Sequence, residues 1–108
     1  MAKNEFGAPL DSNGYSPSIL SDHAECFLCP EHGGDLIRHE VYHGAYRSKS
    51  KRLGTWVWLC VDCHTRLHQE RADWDEQLKA TSQRRTMNYY NWNTAQFRAA
   101  FGKNYTEE

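Results

Sequence analysis

Leu59-Cys60-Val61-Asp62-Cys63-His64-Thr65-Arg66-Leu67-His68 sets two cysteines and two histidines within ten residues, after the β-rich run Thr55-Trp56-Val57-Trp58-Leu59. Free of Gly and Pro from Cys60 to Glu70, the segment has helical composition, with Asp62 near its expected start. On a helix His64 and His68, four apart, project from one face and can share an ion. His64 directly follows Cys63, so whatever fixes that cysteine also fixes the helix that carries both imidazoles.

Upstream, Cys26 and Cys29 repeat the two-residue spacing of Cys60 and Cys63. Two such pairs can each clamp one side of a tetrahedral ion through sulfurs about 2.3 Å from the metal. A redox pair or four free thiols would not explain a second matched pair. Disulfides are disfavoured, because Met1 to Leu10 lacks the charged-then-apolar order of a signal peptide. A chain of 108 residues is one domain at most and has little material for a core, so a structural zinc on Cys26, Cys29, Cys60 and Cys63 would act as a staple. No apolar run approaches the roughly 20 residues of a spanning helix.

Residues 1–22 have turn composition around Gly7, Pro9, Gly14 and Pro17 and read as an irregular arm that packs through Phe6, Leu10, Tyr15, Ile19 and Leu20. Pro30 and Gly33-Gly34 predict a knuckle-like turn after the first cysteine pair. Leu36 to Tyr42 reads as a strand bounded by Gly44, with His39, Val41 and His43 on one face and Arg38, Glu40 and Tyr42 on the other. With Thr55 to Leu59 it forms a hairpin whose connection, Ala45 to Gly54, reads as a long basic loop. Trp56 and Trp58 share a strand face and read as core.

Asp73 with Glu76 resembles a capping box and predicts a helix over 74–90. Its thin apolar stripe, Trp74, Leu78, Met87 and Tyr90, leaves most of its surface to solvent or ligand. Asn93 or Thr94 opens a last helix through Phe97 and Phe101, closed by Gly102.

A third ligand beside His64 and His68 is expected from the hairpin, where His39 is the natural candidate. Three imidazoles leave positions open for a phosphate oxygen and water. The net charge of −1 gives no overall nucleic-acid signature, yet Leu36 to Leu53 holds Arg38, Arg47, Lys49, Lys51 and Arg52 against Glu40 alone, a local balance of +4. Such a cluster suits a phosphate backbone, although a solvated charged loop has the same composition. Lys79, Arg84 and Arg85 could extend the surface, with Tyr89, Tyr90 and Trp92 either as stacking groups or packed against the arm or a neighbouring helix. No base-reading module is present in the sequence, so low sequence specificity is expected.

Cys26-x-x-Cys29, His39-Glu40-Val41-Tyr42-His43-Gly44 and Cys60-x-x-Cys63-His64-x-x-x-His68, taken together, resemble the HNH endonuclease family. The order and spacing are most similar to small phage- and prophage-borne members akin to the RecA-dependent recombination-enhancement nuclease group, from Cys26 to Tyr105. The resemblance implies a small α+β fold: a zinc-stapled, treble-clef-like ββα-metal core in residues 23–105 with two C-terminal helices, preceded by the arm and followed by a short tail, 106–108. It implies a metal-dependent DNA endonuclease in the cytoplasm of a bacterial host, with no membrane association. A DNA-bound protein filament, a host protein or a second copy could present the substrate.

Carried over by position, His39 takes a metal-ligand place with His64 and His68, for Mg2+, Mn2+ or a second Zn2+. Glu40 stands where a histidine base is usual, leaving Glu40 and His43 as rival bases. Thr55 stands where an asparagine braces the loop. With these two positions substituted, the alternative implication is a scaffold of impaired catalysis that acts as a zinc-dependent adaptor for nucleic acid or protein, or as a regulator that binds a host protein through its arm.

Overall fold

The computed structural model describes residues 2–29 and 35–106 and is a small α+β fold. Two antiparallel strands, β1 (Leu36–Glu40) and β2 (Trp56–Cys60), pair with Leu36 opposite Cys60 and Glu40 opposite Trp56. Helix α1 (Arg47–Leu53), preceded by a 3₁₀ turn at Gly44–Tyr46, fills the connection. Helices α2 (Val61–Gln69), α3 (Ala72–Tyr90) and α4 (Thr94–Phe101) follow. The expected knuckle at Pro30 and Gly33-Gly34 lies outside the described residues. No helix among the described residues is long and apolar enough to cross a membrane.

The stretch read as a basic loop is helical instead. Arg47–Leu53 consists largely of good helix formers and anchors itself by burying Ser50 and Leu53, three apart, while its cations stay outward. Gly54 closes it at φ 80°, and a Cβ there would meet the Pro17 carbonyl oxygen at 2.5 Å, so both conformation and space demand glycine.

Helix α3 starts before the expected cap. Arg71 occupies that position without a side-chain cap, and Asp73 lies in the first turn, where its charge suits the helix dipole. Its buried face is Leu78, Ser82, Gln83 and Thr86, mostly small or polar groups that a count of apolar residues cannot register. Gln83 binds the C-terminal segment, donating to Asn104 Oδ1 at 2.7 Å and accepting from the Tyr105 amide at 2.6 Å. Helix α4 follows the sequence reading, with Asn93 and Gln96 forming a full capping box and Gly102 in the left-handed region.

The core gathers Val41, Tyr42, Val57, Leu59, Leu67, Leu78, Phe97 and Phe101 between the hairpin and the helices. Tyr42 packs on Phe97 and Phe101, at ring distances of 5.4 and 4.5 Å, while its hydroxyl donates to the Lys79 carbonyl. Because β1 ends at Glu40, the expected alternation stops there and Val41 and Tyr42 are both fully buried.

The arm lies on the hairpin and α1. Ile19 N–H donates to the Gly54 carbonyl, Trp56 Nε1 donates to the Ser16 carbonyl at 2.8 Å, and Asn4 Nδ2 donates to the Arg52 carbonyl at 2.6 Å. Phe6 stacks near Tyr90 and Trp92, so those aromatics take the packing role against the arm. Trp56 is buried as expected, and Trp58 is partly buried beside it, 5.3 Å away.

Candidate metal centres

Cys60 ends β2 and serves as N-cap of α2, its sulfur accepting from the Cys63 amide at 3.4 Å. That turn brings the second pair against the first, which is tied to the sheet by the Phe27 N–H donating to the Trp58 carbonyl. All four sulfurs, of Cys26, Cys29, Cys60 and Cys63, lie within 4.8 Å of one another. Cys29 and Cys60 sulfurs are 3.7 Å apart. A tetrahedron with metal–sulfur bonds near 2.3 Å has edges of about 3.8 Å, so Cys29 and Cys60 already stand at that spacing and the other sulfurs lie within about 1 Å of it. Burial pushes the Cys26 thiol up, but the backbone amides of Cys60, Leu28 and Cys29 outweigh it and bring it down to about 7. Burial and the neighbouring thiols push Cys63 up. The four cysteines are thus positioned to bind a metal ion, and only a cation would let all four ionise together.

The second centre forms where α2 crosses the end of β1. One nitrogen from each of His39, His64 and His68 lies within 4.8 Å of the others. His64 and His68 Nε2 atoms face each other at 3.1 Å, and metal–nitrogen bonds of 2.0 to 2.1 Å give edges of about 2.8 to 3.4 Å in octahedral or tetrahedral geometry. His39 is 3% exposed, and its Nε2 is buried with no hydrogen-bond partner. An orphaned buried imidazole nitrogen is costly unless something occupies its lone pair. Burial, then the imidazoles of His64, His68 and His43, hold His39 down to about 3, and burial followed by His68 lowers His64. Burial thus favours the neutral form of both rings, the form that ligates metals.

The rival bases have different surroundings. Glu40 is buried: its Oε1 accepts from Arg47 Nε at 2.5 Å and its Oε2 from the Tyr15 hydroxyl at 2.8 Å. Burial and the Glu40 carboxylate push Tyr15 up to about 12, so it stays a donor. His43 is exposed, 6.0 Å from the His39 ring and 5.6 Å from that of His68. Its Nε2 makes a long contact, 3.4 Å, to Asp75 Oδ1, and Asp75 Oδ2 pairs with Lys79 at 2.9 Å. Burial pushes Asp75 up, but Lys79 and His43 outweigh it and keep the carboxyl below its ordinary range.

A cleft of about 460 Å³ opens at this centre, lined by Arg38, His39, Glu40, His43, Arg47 and His64. Of the five expected phosphate contacts it takes in Arg38 and Arg47, whereas Lys49, Lys51 and Arg52 stand further along α1. Lys79 and Arg85 turn inward, to Asp75 and to the Leu20 carbonyl. Thr55 does brace the hairpin end. Its Oγ1 donates to Ser50 Oγ at 3.0 Å, its carbonyl accepts from Val41, and Ser50 Oγ closes the loop onto the Tyr42 carbonyl.

Asp75 and Ser50 escaped the sequence reading, and Tyr15, read only as a packing residue of the arm, also bonds to Glu40. Asp75 carried one legible signal, its placement four residues before Lys79 on a helix. No family model, curated protein or solved structure matches this chain.

Proposed function

We propose that the chain is an HNH-type, metal-dependent endonuclease that hydrolyses DNA phosphodiesters with low sequence specificity, serving DNA processing or recombination in a phage or prophage setting. The observation that carries the proposal is the convergence of His39, His64 and His68 on one point, with His39 Nε2 buried and unpartnered at the floor of an open cleft. The four-cysteine centre takes Zn2+ as a staple, and the histidine centre takes Mg2+, Mn2+ or a second Zn2+.

A divalent ion held by the three imidazoles would supply Lewis-acid polarisation of a phosphate oxygen and stabilise a leaving oxygen. Of the two rival bases, His43 is the more exposed. Asp75 can only accept, so His43 Nε2 carries the hydrogen and Nδ1 keeps the lone pair that takes a proton from water. Asp75 orients the ring and stabilises the imidazolium that results. Glu40, with both oxygens engaged, positions Arg47 at the mouth of the cleft.

His64→Ala should abolish nicking of plasmid DNA in Mg2+ or Mn2+ while the far-UV circular dichroism and one tightly bound zinc remain. Full activity in that variant would remove the histidine centre from the chemistry. The engagement of Glu40 favours a second reading, a binding scaffold without catalysis. Metal-to-protein stoichiometry separates the two: the nuclease requires a second divalent ion, whereas the scaffold needs only the first.

A further inference from the structure

Arg38 is one wall of the cleft, and its guanidinium is held by more than the site requires. It lies 4.3 Å from the Tyr15 ring centroid, 5.0 Å from that of Trp56 and 5.2 Å from that of Trp58, which fixes its plane. Its Nη1 donates to Asp11 Oδ2 at 2.8 Å. Asp11 is itself fixed, because Oδ1 accepts from the amides of Asn13 at 2.9 Å and Tyr15 at 3.0 Å, leaving the second oxygen for Arg38. At the other end of the basic strip that runs from Arg38 through Arg47, Lys49 and Lys51 to Arg52, Arg52 Nη2 donates to Glu5 Oε1 at 3.2 Å, and the arm is tied to the Arg52 carbonyl by Asn4. The strip's five cations thus meet three carboxylates, Glu40 from β1 and two, Asp11 and Glu5, from the arm.

We propose that the N-terminal arm is an intramolecular competitor for the DNA backbone, its Asp11 and Glu5 carboxylates occupying the guanidinium groups of Arg38 and Arg52 that phosphates would otherwise contact. The proposal rests on the nuclease reading for the identity of the polyanion. Carboxylate and phosphate make the same kind of charged hydrogen bond to arginine. The Arg52–Glu5 pair is solvent-exposed and the Arg38–Asp11 pair partly so, but the arm's anchoring through Trp56 and Gly54 keeps both carboxylates beside their arginines, so DNA reaches the other cations of this segment and not these two. The arm therefore attenuates binding and does not block it. A partner that drew the arm's carboxylates away would raise affinity.

The test is the salt dependence of binding to a labelled DNA duplex by the zinc-loaded full chain, without Mg2+ or Mn2+, for wild type, Asp11→Asn, Glu5→Gln and the double variant. Asparagine keeps the oxygen that accepts from Asn13 and Tyr15, so the arm's turn survives. Each freed cation should add about 0.9 to the slope of log affinity against log salt. Between 50 and 200 mM salt that is about 3.5-fold more affinity lost than in wild type for each single variant, and ~12-fold for the double. Asp73→Asn, which releases Arg71 at the start of α3 with the same change of charge, should leave the slope unaltered. Slopes of the arm variants equal to those of wild type and of Asp73→Asn would overturn the competitor. Wild-type protein that binds no DNA at any salt concentration and nicks none would overturn the nuclease reading, and the competitor with it.

Discussion

Replacing Glu40 by Gln separates a structural carboxylate from a chemical one. The side chain is 7% exposed and accepts from two donors, of which Arg47 is 62% exposed and Tyr15 partly buried. A charge-assisted hydrogen bond contributes about 1.5 to 3 kcal/mol, and a neutral one about 1 kcal/mol. Glutamine is close to isosteric and still accepts from Tyr15 through one oxygen, so the loss falls on the arginine contact. Since Arg47 returns to water readily, its charge is not stranded, and the net cost is discounted to about 1 to 2 kcal/mol. At about 4 °C per kcal/mol for a domain of this size, Glu40→Gln should melt roughly 4 to 8 °C below wild type. It should also keep nicking plasmid at a temperature well under its melting point. His43→Ala should do the reverse, with an unchanged melt, as befits an exposed side chain, and nicking reduced ~100- to 10,000-fold, the usual contribution of a general base. A Glu40→Gln protein that melts like wild type yet loses nicking on that scale would show that Glu40 is the base and that the pairing with Arg47 and Tyr15 does not hold.

Two further outcomes follow from the metal centres. Stripping the four-cysteine centre with a strong chelator should collapse the near-ultraviolet signal of Trp56 and Trp58 and abolish a cooperative melt, because the core is small and a structural zinc contributes about 10 kcal/mol or more to such domains. Readdition of Zn2+ restoring the melt is the check. With the histidine centre free of metal, His39 and His64 are depressed in the folded chain, so the unfolded chain binds more protons. Their contribution to stability is complete above the unfolded value near 6.5 and is lost as the pH falls from there towards about 3, the folded value of His39. Acid titration of the melting point should show this fall, and His39→Phe should flatten it.

What could be read from the sequence was set by local spacing. The cysteine pairs and the His64–His68 pair are four or fewer residues apart, and one turn or one helical turn places their ligands. The α4 caps were legible for the same reason. The helical state of 47–53 was not, because a seven-residue helix with two buried positions has almost no apolar period, and its anchor is the arm and Gly54. Nor could the sequence disclose that α3 buries Ser82, Gln83 and Thr86, since Gln83 answers to Asn104 and Tyr105, about twenty positions away, and small hydroxyl side chains leave no apolar period. The pairing of His43 with Asp75 spans 32 residues and exists only because α3 folds back beside the end of β1.

The two centres share one junction, which argues that they are coupled. Cys60 and Cys63 belong to the sulfur cluster, and the same turn starts α2, with His64 the next residue and His68 one turn beyond. His39 lies opposite Val57 on the strand that Cys60 ends, so the register that aligns the sulfurs also aligns the third imidazole. An ion on the cysteines would therefore steady both parts of the histidine cluster through short connections: four residues of α2 and a two-stranded ladder. A metal staple there would support the histidine cluster as well as the fold.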